Sequence, residues 1–185
     1  NDNGFKPTKF GIRVFYLRID PETAFDMTGY VEDYVRGTKH TFGILDMITN
    51  LSEFYSQYPV PDKYQESMDD LINKNEKLYK QQNFSSDDCF KSLLILYKWI
   101  DAMTYQDMSE HFDAEPGDIF YIKENAKNLA YTFTEIVKFW RDYAKENDQK
   151  KIVSEYQSLI DELDLLRLQI IHGVPEKYLE LVKIK

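Results

Sequence analysis

The chain has 185 residues, of which 43% are hydrophobic and 15% aromatic, with only seven Gly and six Pro; that composition buries a core, excludes a disordered chain and argues against a turn-rich sandwich or barrel. A formal charge of −9 opposes simple electrostatic capture of nucleic acid. The single Cys89 excludes an intrachain disulfide framework and fits a reducing, cytoplasmic compartment, and no apolar run reaches the roughly 18 residues of a membrane span.

In chain order, Thr8 to Ile19 fits a helix and a strand equally well. Asp20 and Pro21 supply an N-cap and a first helical position for a helix to about Val35, which Gly37 ends. Thr38 or Thr41 starts an apolar helix through Ile48, and residues 50–61 are loop-like. A polar helix is expected over 61–79, with Met68, Leu71, Ile72 and Leu78 as its apolar stripe. Ser85 or Ser86 caps the next helix, and Asp87 and Asp88 complement its dipole. That helix, 87–101, is apolar nearly all round from Leu93 to Ile100, the mark of a central buried helix. Thr104 caps a short helix to about Phe112. Pro116 then begins a long amphipathic helix, with Ile119, Ile122, Ala126, Leu129, Phe133, Ile136 and Trp140 recurring three and four apart. The same spacing returns at Ile152, Tyr156, Leu159, Leu163, Leu166 and Ile170. His172 and Gly173 stop this helix, and Pro175 opens a final short one. The expected fold is all-α: a single bundle of about seven to nine helices around a central buried helix, with one long amphipathic helix.

Catalytic constellations are absent from the sequence. No glycine-rich loop matches the phosphate-cradling pattern G-x-x-x-x-G-K-[ST]. Asp161-Glu162-Leu163-Asp164 lies within a heptad-patterned helix and reads as a solvated face. His40, His111 and His172 have no metal-ligand spacing. Glu110 and His111 read as a surface pair, and Cys89 as a small buried hydrophobe. Neither a metal nor a cofactor is expected in the chain. Charge is uneven: residues 61–115 carry 6 basic and 12 acidic groups, residues 116–145 carry 5 and 4, so the one stretch that is not acidic begins at Pro116.

Four collinear segments carry a resemblance. Pro7-Thr8-Lys9-Phe10-Gly11 leading to Tyr16-Leu17-Arg18-Ile19-Asp20-Pro21 is similar to a pattern T-x-x-G … Y-I-D-P. Thr41 to Asn50 is similar to the helix that follows, although Leu51-Ser52-Glu53 replaces its usual Pro-Asp exit. Ser92 to Ile100, followed by Glu115-Pro116-Gly117-Asp118-Ile119, resembles A-L-x-L-x-x-W-I … P-G-D-L. Ile171 to Ile184 resembles K-H-G-V-x-x-E-L-L-x-L-V-x-I. Together they resemble the C-terminal ratchet domain, a Sec-sixty-three-like helical domain, of archaeal Ski-two-type superfamily-two DNA helicases. The resemblance implies that residues 1–20 are the end of a winged-helix region with a lead-in segment and residues 21–185 the helical ratchet domain. It implies an excised or truncated relative, with the motor domains, and the ATP and magnesium they use, lying before Asn1.

In that family the long helix carries an Arg and, two turns later, a Trp that contact DNA bases. Tyr121 and Asn128 stand at the matching positions, and the exchange predicts a stack weaker by about 1–3 kcal/mol. Seven residues apart, the two share one helix face, with Asn125 and Thr132 beside them. Tyr stacks on bases and Asn hydrogen-bonds base edges or phosphates. Lys123 and Lys127 flank the face and are positioned either for phosphates or for neighbouring carboxylates. Phe120 and Tyr131 read as packing residues. The expected DNA-binding set is therefore Tyr121, Asn125, Asn128, Lys123 and Lys127, with the motor and winged-helix domains of the same polypeptide and a single strand of DNA as partners. The competing expectation is a helical module that docks a protein partner. A positive groove around Tyr121 and Asn128 favours DNA; an exposed apolar patch favours protein.

Overall fold

The computed structural model describes residues 6–35, 41–54 and 87–182. The expected polar helix over 61–79, the Gly37 stop, the Ser85 or Ser86 cap, His40 and the Cys89 side chain lie outside the described residues. Within them the chain forms α1 (Lys9–Leu17), α2 (Pro21–Val35), α3 (Thr41–Asn50), α4 (Asp87–Ile100), α5 (Tyr105–Phe112), α6 (Pro116–Glu146), α7 (Lys150–His172), a 3-10 turn (Glu176–Tyr178) and α8 (Leu179–Val182), with no strand among them.

Local chemistry sets the ends of these helices. The ambiguous first segment is a helix because Thr8 caps it: its hydroxyl accepts the Gly11 amide at 2.9 Å. Asp20 caps α2, accepting the Glu22 amide at 2.8 Å, and its own amide donates to the Glu53 carboxylate. Thr104 accepts the Asp107 amide at 3.1 Å and opens α5. Pro116 takes the first position of α6, where its missing N–H costs nothing. Gly173, at φ +63°, ends α7 in the left-handed region.

α6 organises the bundle. It has 31 residues, so it runs about 46 Å. Its inner positions Ile119, Ile122, Ala126, Phe133, Ile136 and Val137 have no exposed surface, and they meet α1, α2, α3, α4, α5 and α7 in turn. α7 returns antiparallel along it: the guanidinium of Arg141 donates to Gln157 at 2.9 Å, and Tyr131 faces Arg167. The expected buried helix is α4, whose Leu93–Leu96 segment is 0–1% exposed and touches α3, α5, α6 and α7. Near the α6 C-terminus, Phe10 packs on Phe139 and Trp140 at 5.2 Å each, and the Trp140 indole donates to Thr28 at 3.2 Å. Arg13 and Lys138 share Glu135 at 3.5 and 2.9 Å. Together these contacts hold α1 and α2 against α6.

Two of the motif residues are explained by one contact. The Trp99 indole donates to the Ile170 carbonyl at 2.7 Å, an otherwise unpaired group in the last turn of α7. The ring then lies so close to Gly173 that a Cβ there would fall 2.4 Å from Trp99 Cζ2. The tryptophan near the end of α4 and the glycine after α7 are thus two halves of one lock.

Candidate nucleic-acid interface

With its inner side sealed, α6 presents an outer stripe to solvent. Tyr121 is 64% exposed, Asn128 is exposed, and Glu124 between them is half-buried. The ring of Tyr121 meets its neighbour Phe120, itself 52% exposed, edge to face at 5.8 Å. Side chains on a helix advance about 100° per residue, so positions 121, 124, 128 and 131 fall within one narrow arc. Asn125 is half-buried at the edge of that arc. Thr132, expected beside it, falls within about 20° of Tyr121 on the helix but is only 9% exposed, so it adds nothing to the open stripe.

The two lysines of the expected set are engaged inside the chain. The Lys123 ammonium donates to the Tyr105 hydroxyl at 2.6 Å and stands 3.5 Å above the centre of the Trp99 ring. It is a cation held by two aromatic rings from α4 and α5, an arrangement worth about 0.5–2 kcal/mol. Lys127 pairs with Glu124 one turn earlier. Further along α6, Arg141 and Lys145 meet Asp142. The helix therefore carries no surplus positive groove of its own.

Two residues enter this face that periodicity did not mark. Tyr131, expected to pack, is 47% exposed. Arg167 of α7 crosses the seam and lies over its ring, 5.3 Å from the centroid. The only signal for the pair was that Tyr131 falls outside the apolar spacing of α6; its partner is brought by antiparallel packing from 36 residues away.

The groups considered for catalysis stay dispersed. Asp161 accepts Gln157 at 2.9 Å on the surface, and Leu163 between the acids is buried. Glu110 accepts Gln106 at 3.0 Å, and the His111 ring stands against Phe112. Among the described residues no group of three or more His, Cys, Asp or Glu side chains is placed to hold a metal ion, and no helix is long and apolar enough to cross a membrane.

The fold is an all-α bundle, and its sequence relatives make it a helicase-associated helical domain. The family model for archaeal helicase domain 4 matches residues 42–155, and the chain belongs to that family. It is similar over 99% of its length to the ATP-dependent DNA helicases Hel308 of Pyrococcus abyssi, at 29% identity, and Pyrococcus horikoshii, at 28%. The corresponding helicase of Thermococcus kodakarensis is 27% identical over a similar stretch. The chain spans about a quarter of the length of the two Pyrococcus relatives (24% each) and 16% of the Thermococcus one.

Proposed function

We propose that this chain is the non-catalytic, single-strand-guiding part of an ATP-dependent DNA helicase that moves 3′ to 5′ in DNA repair or restart of replication forks. The observation that carries the reading is the exposed Tyr121–Asn128 stripe on a helix whose opposite side is locked in the core. The relatives' names, which are those of DNA helicases, support a helicase context. ATP and magnesium belong to motor domains elsewhere in the parent. The motor draws the strand, and α6 lies across its path as a stiff rail. Tyr121 stacks on one base and Asn128 hydrogen-bonds the next it meets, so that each advance is held against back-slip. Because the cations of α6 are engaged internally, the contact rests on stacking and hydrogen bonding more than on charge.

One observation favours a second reading. The exposed Phe120–Tyr121 pair, without a positive groove around it, suits a protein partner. Fluorescence anisotropy of a labelled single strand at low and moderate salt separates the two. The strand-guiding reading expects saturable binding, weakened about 5–100-fold by Tyr121→Ala and about 2–10-fold by Asn128→Ala. A wild-type chain that leaves the strand free at low salt contradicts it and leaves docking.

A further inference from the structure

Arg167 stands apart from the other cations along the α6–α7 seam. Lys123 is held between rings, Lys127 pairs with Glu124, and Arg141 meets both Asp142 and Gln157. The Arg167 guanidinium makes no ion pair or hydrogen bond with the described residues; its Nε is buried and unsatisfied. It stands over the ring of Tyr131, 5.3 Å from the centroid. In a chain of net charge −9, with 32 carboxylates available, a half-buried arginine stacked on an exposed tyrosine and left without an acid is unusual. Burying part of a guanidinium without an anion costs free energy, and an incoming anion recovers it.

The pair is placed where a ligand of the outer stripe would pass. Tyr131 lies one turn beyond Asn128 and ten residues beyond Tyr121, about 15 Å along the same side of α6. A guanidinium over an aromatic ring offers a base a platform to stack on, and guanidinium N–H groups are donors for a phosphate.

We propose that Arg167 and Tyr131 form a second single-strand contact, with a backbone phosphate on the Arg167 guanidinium and a base stacked on the Arg167–Tyr131 pair. The proposal rests on the strand-guiding reading and extends it from α6 onto α7. It makes the contact three-point, with Tyr121, Asn128 and the Arg167–Tyr131 pair following one another along the strand. It also supplies, from the neighbouring helix, the positive charge that α6 withholds.

The test is anisotropy of a fluorescein-labelled oligo-dT of about 15 nucleotides with the whole chain, over a series of salt concentrations. Arg167→Gln is expected to lower affinity and to flatten the dependence of log K on log salt by about 0.7, the share of one single-strand phosphate. Tyr131→Ala is expected to weaken binding about 5–100-fold, and Tyr131→Phe to leave it near wild type. Arg167→Lys, which keeps the charge and the fold, is expected to keep the salt slope and lose part of the affinity. If Tyr121→Ala weakens binding while Arg167→Gln and Tyr131→Ala, folded by circular dichroism, bind as wild type does, the second contact is overturned and the strand-guiding reading stands. If the wild-type chain does not bind oligo-dT at low salt, both fall.

Discussion

Asp46 lies on α3 with 5% of its surface exposed, and its side chain is met by the Asn50 amide at 3.2 Å. Burial pushes its carboxyl from the ordinary 3.8 up to about 7, and the Asn50 hydrogen bond offsets only part of that. Below about pH 3.8 the group is neutral in both the folded and the unfolded chain and costs nothing. As pH rises from there to about 7 the unfolded chain releases the proton first, so stability falls, and above about 7 the loss is complete. At about 1.4 kcal/mol per unit the loss approaches ~4 kcal/mol. The expected result is a melting temperature that declines between about pH 4 and pH 7 and levels off above that. In Asp46→Asn, which keeps an acceptor for Asn50, the decline is shallower and the protein is more stable than wild type at the alkaline end; equal slopes in thermal melts would contradict this. Sequence pattern did not mark Asp46, because an acid in an apolar run looks the same whether it faces water or the core. Lys123 has the same character: its spacing permitted a phosphate or a carboxylate, whereas its actual partners are rings from two other helices.

At the level of elements, the helices were legible wherever a cap or a periodic stripe marked them. Asp20 with Pro21, Thr104, Pro116 and Gly173 all mark ends that the fold uses. α1 was not, since its nine residues bury only Val14 and a segment that short fits a strand as well. The cap that decides it, Thr8 to Gly11, is a three-dimensional hydrogen bond. The lock between α4 and α7 holds the far ends of those helices together. Gly173→Ala sets a Cβ against the Trp99 ring, in a backbone conformation that side chains rarely adopt. It should destabilise by about 2–4 kcal/mol in chemical unfolding. A change below about 0.5 kcal/mol would mean that the ring does not seat on the glycine.

For the whole molecule, the bundle behaves as a base for one long helix. The inward side of α6 is closed by six other helices, and its outward side is left to Tyr121, Asn128 and Tyr131. The first two were legible through the resemblance and the seven-residue spacing. Tyr131 and Arg167 were not, because the seam between α6 and α7 exists only after the chain folds back. The strand-guiding role requires a single strand to run along that side. Two-dimensional amide NMR of the chain titrated with oligo-dT tests it most directly. Shifts concentrated at 121–131 on α6 and around Arg167 on α7, with α1 and α2 unmoved, are expected. Shifts confined to α1 and α2, or none at saturating strand, would contradict it.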